Sequence, residues 1–235
     1  MVPLHIPLLF AVLLAGLFCL LPLSVYLLRL AQVTRRDHPT VVPGEWDFAG
    51  LLLALSGFLV AGGGLLLTLL PTNFRFWMRG NMEQFREAWV QERVTWGLLV
   101  AAYLIAVGGI ATLTFLARRR SLVIYNVEPA AFEHAVREVF DQLGRPLERR
   151  GKQWLSGAPL FEADEFEAGH TVTLRWVSAD GRLFDEVARQ LRAALATHSS
   201  GENPASRWLM SVATGAGILA VCSFGLFMFG MSQMR

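Results

Sequence analysis

The sequence is short of charged residues and of cysteines, and each shortage excludes a class of protein. Charged residues make up 17% of the 235 positions, whereas about 25% is usual for a soluble domain. Apolar residues make up 54%, which excludes a disordered chain and disfavours a wholly soluble one. The two cysteines, Cys19 and Cys222, lie far apart in apolar stretches, so we expect neither a disulfide framework nor a zinc site.

Sequence motifs of catalysis and of cofactor binding are also missing. The chain contains no glycine-rich phosphate loop outside its apolar stretches, no CxxC, no HExxH and no GxSxG. Its formal net charge of +2 does not indicate a surface for nucleic acid. We therefore expect a protein that is not an enzyme, with no catalytic residues, no cofactor, no metal ion and no nucleic-acid partner.

Two charged clusters lie in the second half of the chain. The acidic cluster lacks the glycine-containing turn of a calcium site, and its pattern favours a solvated hairpin edge. For the basic cluster, a solvated turn is the favoured interpretation. Contact with anionic lipid is the alternative interpretation. The acidic cluster comprises Glu162, Asp164, Glu165 and Glu167, and the basic cluster comprises Arg149, Arg150 and Lys152.

Four apolar runs are long enough to cross a membrane. A bilayer core about 30 Å thick requires about 20 apolar residues in a helix, and none of the four runs contains Asp, Glu, Lys or Arg. We expect the first run to be a retained anchor, because its apolar stretch is too long for a signal peptide and no Lys or Arg precedes it. The runs are Leu4–Leu28, Phe48–Leu70, Thr95–Ala117 and Trp208–Gly230.

Arginines near the ends of the runs predict the orientation in the membrane. The loop after the first run and the stretch from 118 to 207 carry more arginines near the runs than the loop between the second and third runs. Basic loops stay in the cytoplasm, so we expect residues 118–207 to be cytoplasmic and both termini to lie outside. The expected location is a bacterial inner membrane, with the lipid bilayer as one partner.

The second run carries a continuous line of small residues at spacings of four and three. Small side chains allow two helices in lipid to approach closely. This pattern is compatible with packing among the four predicted helices and with docking against another subunit. The helix-packing residues predicted from it are Gly50, Ala54, Gly57, Ala61, Gly64 and Thr68.

Residues 72–94, between the second and third runs, combine aromatic residues with Arg and Glu. Aromatic side chains of this kind lie at the level of the lipid headgroups. We expect a helix that lies on the membrane or extends the third run, and a partner-binding face is a second interpretation. The predicted interfacial residues are Phe74, Phe76, Trp77, Phe85 and Trp89.

Residues 121–206 have the composition of a small soluble α+β domain, with 13 acidic and 9 basic residues. The predicted order is a strand at Leu122–Val127, a helix closed by Gly144, a short strand at Gln153–Leu155, a hairpin and a second helix. The hairpin arms are Pro159–Phe166 and Thr171–Ser178. This order resembles part of a ferredoxin-like arrangement whose last strand is missing or replaced.

Helical periodicity identifies the buried faces of the two predicted helices in this domain. Apolar residues recur at intervals of three and four, which places them on one side of a helix. In the second hairpin arm, apolar and polar residues alternate, as in a half-buried strand. The first helix presents Phe132, Ala135, Val136, Val139, Phe140 and Leu143, and the second presents Phe184, Val187, Ala188, Leu191 and Leu195.

The predicted architecture is a four-helix membrane protein with a small soluble domain inserted between the third and fourth helices. Residues 1–120 form the three-helix part, 121–206 the soluble domain and 207–235 the fourth helix.

The absence of charged residues in the four runs disfavours a transport pathway. We expect a non-catalytic accessory or assembly subunit bound to other integral membrane subunits, with an energy-converting complex, photosynthetic or respiratory, as the suggested context. The alternative is a membrane sensor or transporter component whose cytoplasmic module binds a ligand or a protein.

Overall fold

The computed structural model describes residues 5–68, 93–199, 201 and 203–232. Long apolar helices alternate with the elements of a small antiparallel sheet. In chain order the elements are α1 (His5–Thr34), β1 (Thr40–Pro43), α2 (Gly44–Thr68), α3 (Arg93–Arg118), β2 (Ser121–Tyr125), α4 (Pro129–Gln142), β3 (Glu148–Arg150), β4 (Gln153–Ser156), β5 (Ala158–Phe166), β6 (Thr171–Trp176), α5 (Gly181–Ala196) and α6 (Pro204–Ser232).

Helices α1, α2, α3 and α6 are each long and apolar enough to cross a membrane. Each one coincides with a predicted apolar run, which is expected because about 20 apolar residues without a charge are stable as a helix in lipid. The chain therefore has the composition and helix lengths of a multi-pass membrane protein.

The two shorter helices begin at residues suited to helix starts. Pro129 occupies the first turn of α4, where its missing N–H costs nothing. The Asp180 carboxylate accepts a hydrogen bond from the Leu183 N–H at 3.0 Å and caps α5. Gly144 follows α4 with φ of 65°, a left-handed conformation that glycine adopts without strain.

All neighbouring strands of the six-stranded sheet are antiparallel, in the order β1-β2-β6-β5-β4-β3. Strand β2 lies between β1 and β6, with Ile124 opposite both Val41 and Val172. Strand β1, which comes from the segment between α1 and α2, was not predicted from the sequence. Strand β3 was not predicted either, because its three residues are exposed and show no alternation of apolar and polar side chains.

One face of the sheet and the apolar faces of α4 and α5 form a continuous core. The apolar residues predicted for the two helices are buried, except Leu143 and Phe184, which are partly buried and pack against the core. The alternation predicted for the second hairpin arm is confirmed, because Val172, Leu174 and Trp176 are buried in β6. Local periodicity therefore identified most of this core correctly.

The acidic cluster is only partly at an edge of the sheet, where the prediction placed all of it. Glu162, Asp164 and Glu165 belong to β5 and pair with β6, but among them only Glu162 also pairs with β4 on the other side. The prediction was wrong for Glu162 because the hairpin β3–β4, which pairs outside β5, was not predicted in full from the sequence.

The chain divides into two compact units. The helical unit comprises Met1–Val25, Leu52–Leu113 and Thr214–Arg235, and the sheet unit comprises Tyr26–Leu51 and Thr114–Ala213. The sheet unit thus includes the whole sheet, α4, α5 and the adjoining ends of the long helices.

Candidate functional site

The predicted small-residue line on α2 does not lie in a single environment. A side chain added at Gly57 would collide with the backbone of Phe18 and Cys19 in α1, and one added at Gly50 would meet the Tyr26 ring. Ala54, between them, is buried. The first half of the line therefore lies where α2 approaches α1 in the same chain.

The second half of the line is more open. Ala61 is half-buried, and Gly64 is exposed with no atom of the described residues near the position of an added side chain. The side chain of Thr68 lies outside the described part of the chain. The close approach of α1 and α2 thus accounts for part of the predicted line.

Small residues also mark the contacts of α6 and α3. A side chain at Gly217 in α6 would lie 3.0 Å from the Ser24 hydroxyl, and one at Gly16 in α1 would lie 3.2 Å from the Ser223 hydroxyl. The Tyr103 hydroxyl of α3 donates a hydrogen bond to the Leu59 carbonyl of α2 at 2.5 Å. Helix α1 therefore contacts α2 and α6, and α3 contacts α2.

The five predicted interfacial residues, Phe74, Phe76, Trp77, Phe85 and Trp89, lie outside the described residues. Their interpretation as a headgroup-level or partner-binding surface stays a prediction.

A polar junction joins the start of α2 to the end of α3 and to β2. The Tyr125 hydroxyl donates a hydrogen bond to the Asp47 carboxylate, and Arg118 lies 3.8 Å from the same carboxylate. Burial and the Asp47 charge raise the pKa of Tyr125 above its usual value, so the phenol stays protonated and acts as a donor. Glu45 pairs similarly with Arg119 at 3.9 Å.

The two charged clusters found in the sequence pair with other charged groups. Arg149 contacts Glu133 at 2.7 Å and Glu165 at 2.9 Å, and Lys152 contacts Asp164 at 2.6 Å. Hydrogen bonds from Arg137 and Arg149 lower the pKa of Glu133. Among the described residues, no group of three or more His, Cys, Asp or Glu side chains could hold a metal ion. These clusters form surface ion pairs on the sheet unit.

A cavity of about 460 Å³ lies at the ends of α1 and α6, within the sheet unit. We call it the arginine cavity, because three arginines line it. Its polar lining includes Asp37, the buried Asn203 and the buried Ser206. The arginines are Arg35, Arg36 and Arg207.

Two asparagines connect the walls of the arginine cavity by hydrogen bonds to other segments of the sheet unit. The Asn126 amide donates to the Arg36 carbonyl at 2.5 Å, and the Asn203 amide donates to the Gly169 carbonyl at 3.0 Å. The Asn203 side-chain oxygen also accepts a hydrogen bond from the Ala205 N–H at 2.9 Å and caps α6. Asn126 has φ of 61°, a conformation that asparagine tolerates better than most residues.

Comparison of the chain with protein-family models, with curated proteins and with solved structures finds no match. The candidate sites therefore rest on geometry and chemistry alone.

Arg35, Arg36 and Arg207 are among the arginines that predict the orientation in the membrane, but their sequence positions did not indicate a common site. Their shared signal is position, since they flank the first and fourth apolar runs at ends that an antiparallel arrangement brings to the same side of a membrane. The 170 residues or so between them hid this relation.

Proposed function

We propose that the chain is a non-catalytic accessory subunit that stabilises a larger integral membrane complex. The observation that supports this role is that the described residues cover only one face of α3. Trp96 is the one buried residue among those described in α3, and Tyr103, seven residues later, makes the contact with α2. A separation of seven residues places both on one face of the helix, and the rest of the α3 surface is not covered by the described residues.

The surface of α3 away from Tyr103 combines large exposed side chains with exposed small residues. Ile105 is 74% exposed and Leu104 is 60% exposed, and lipid alone would account for such apolar side chains. Gly97, Ala101 and Gly108 are also exposed and share one face, about 140° around the helix from Tyr103. Small residues in lipid favour the close approach of a second helix, so this face suits a partner helix.

A substitution at Gly108 tests this proposal. No described atom lies near an added side chain at this position, so Gly108→Leu leaves the packing among the described residues unchanged. We expect the full-length chain, extracted in mild detergent from its native membrane, to retain partner subunits by native mass measurement. In the variant, retention falls by about tenfold or more, which corresponds to about 1.4 kcal/mol of helix association.

A matched control is available in α6. Gly225 is equally open, and Gly225→Leu adds the same apolar bulk to another candidate membrane helix. This variant retains the partner subunits. A native chain that is extracted alone, or two variants that lose partners equally, would contradict the assembly role of α3.

We also propose that the sheet unit is a modified ferredoxin-like domain. In that arrangement the first strand lies between the third and the fourth. Strands β2, β5 and β6 with helices α4 and α5 follow this order, β1 stands in the place of the fourth strand, and β3–β4 is an added hairpin. Such domains host many unrelated functions, so this arrangement does not by itself favour the alternative role as a sensor or transporter component.

A further inference from the structure

We propose that the arginine cavity binds a phosphate group, provided by the headgroup of an anionic phospholipid or by free phosphate. The proposal is independent of the assembly role, because it concerns the ends of α1 and α6 and makes no use of the exposed face of α3. It rests on the charge of the cavity, its fixed walls and its position.

The described lining of the cavity carries more positive than negative charge. Asp37 is the one carboxylate among the described residues that line it, against three arginines. Within the described ranges, neither Arg35 nor Arg36 has a carboxylate within ion-pair distance. Arginine binds phosphate through two parallel hydrogen bonds from its planar fork, so this cavity has the donors that a phosphate group requires.

Three other arginines of the sheet unit differ from Arg35 and Arg36, because each of the three contacts a carboxylate. Arg118 and Arg119 lie beside Asp47 and Glu45, and Arg149 is held between Glu133 and Glu165. An arginine that already contacts a carboxylate loses that interaction when it binds phosphate. The basic cluster for which lipid contact stayed open is therefore less suited to an anion than the cavity.

The walls of the cavity are held in place before any ligand binds. Asn126 fixes the segment that carries Arg35 and Arg36 through the Arg36 carbonyl, and Asn203 fixes the start of α6. A preformed site loses less conformational entropy on binding. The first backbone N–H groups of α6 add a partial positive charge at the same end.

The position and size of the cavity suit a phosphate-bearing ligand at a membrane surface. Candidate membrane-spanning segments end at Thr34 and begin at Pro204, and residues at both ends line the cavity. Basic pockets between the ends of membrane helices are known to accept lipid headgroups. The volume of about 460 Å³ lies within the range of about 300–1,000 Å³ typical of ligand sites.

The test uses the full-length chain purified in a zwitterionic detergent. One arm adds phosphatidylglycerol, with phosphatidylcholine as a comparison whose zwitterionic headgroup has no net charge, and measures bound lipid by native mass spectrometry. The other arm adds inorganic phosphate, with chloride at equal ionic strength, and measures the thermal unfolding midpoint. Binding in the first arm alone identifies a lipid headgroup as the source, and a response in the second arm shows that free phosphate also binds.

Two double variants separate the cavity from the general charge of the surface. In Arg35→Gln/Arg36→Gln the cavity loses two arginines, and the affinity falls by about 30-fold, the effect of about 1 kcal/mol for each arginine. In Arg119→Gln/Arg120→Gln two consecutive arginines are lost just after α3, outside the cavity lining, and the affinity changes by less than about threefold. The Arg36 carbonyl still accepts the hydrogen bond of Asn126 in the first variant.

A third variant changes affinity in the opposite direction, which a misfolded chain cannot imitate. Asp37→Asn removes the carboxylate from the cavity lining and strengthens binding by about threefold or more. Equal losses in the two arginine double variants would show a diffuse surface effect and overturn the proposal. Absence of binding in both arms, or weaker binding by Asp37→Asn, would overturn it as well.

Discussion

The sheet unit and the helical unit bury side chains of different size. In the sheet unit the largest fully buried side chains include Trp154, Phe132 and Phe140. In the helical unit the buried apolar residues among those described are mostly small, such as Cys19, Ala54 and Ala220, with Trp96 as the large exception, whereas Ile105 is 74% exposed. Large side chains form the core of the sheet unit, and many of those in the helical unit are exposed.

This difference follows from the solvent that each unit is built for. In water, burying a large apolar side chain contributes about 1.5–3 kcal/mol, so a core of Phe and Trp stabilises the sheet unit. In lipid, a leucine gains little from burial because the acyl chains are equally apolar, and helices associate through close backbone approach. Small residues at contacts and large ones at the surface are therefore the expected pattern of a membrane-embedded unit.

Shortening a large side chain should reveal the largest difference in stability loss between the two units. Phe140 is fully buried, with its ring 6.1 Å from that of Phe161. We expect Phe140→Ala to lower the free energy of unfolding of the sheet unit by about 3–5 kcal/mol, because it removes buried area and leaves a cavity. Denaturant unfolding of the full-length chain in detergent, followed by tryptophan fluorescence, measures this loss.

The matched variant in the helical unit is Leu104→Ala. Leu104 is 60% exposed, and its removal leaves no cavity, so we expect a change below about 1 kcal/mol. A loss as large as that of Phe140→Ala would show that Leu104 is buried against protein and would contradict the comparison.

Enlarging a small side chain at a helix contact should destabilise the helical unit. An added side chain at Gly57 would collide with the α1 backbone at Phe18, so the two helices must separate to accommodate it. We expect Gly57→Leu to destabilise the helical unit by about 3 kcal/mol, at the upper end for overpacking. The retention of monodisperse chain after heating in detergent measures the effect.

Gly62→Leu is the control on the same helix. No described atom lies within contact distance of an added side chain at Gly62, so this variant should survive heating like the native chain. Equal losses in the two variants would mean that helix propensity or insertion, and not the contact with α1, sets the stability.

The sequence predicted the elements whose pattern is local. Helices α4 and α5 were found because apolar residues recur at helical spacing, and β5 and β6 because they form a hairpin with one alternating arm. Strand β1 was missed because its four residues gain their pairing only from β2, about 80 residues away in the chain. Strand β3 was missed because its exposed charged residues show no alternation.

The candidate sites were less predictable than the fold, for a related reason. The spacing of small residues on α2 does not distinguish Gly57, which lies against α1, from Gly64, which is open. Likewise, nothing near Arg35 in the sequence indicates that Arg207 lines the same cavity. A pattern along one helix specifies a face, whereas the occupant of that face depends on the packing of distant segments.

The smallest expected effect concerns the surface charges of the sheet unit, which add little to the core. Hydrogen bonds from Arg137 and Arg149 lower the pKa of Glu133 below its usual value of 4.5. A carboxyl whose pKa is lowered by folding stabilises the fold above that usual value, and the contribution is lost as the pH falls through the folded pKa. The native chain should therefore be slightly more stable than Glu133→Gln at pH 7, and the difference should shrink below about pH 4.5.

Lys152→Gln provides the comparison for this pH dependence. Lys152 pairs with Asp164, but both side chains are more than 70% exposed, and exposed pairs contribute little to stability because water screens them. The pKa of Lys152 is raised from 10.5, so this lysine stays charged throughout an acid titration. Denaturant unfolding of the three chains from pH 7 to pH 3 should show a pH-dependent difference for Glu133→Gln and no measurable difference for Lys152→Gln. A Glu133→Gln difference that is constant with pH would mean that Glu133 contributes through packing, and the surface charges of the sheet unit would then have no measurable part in its stability.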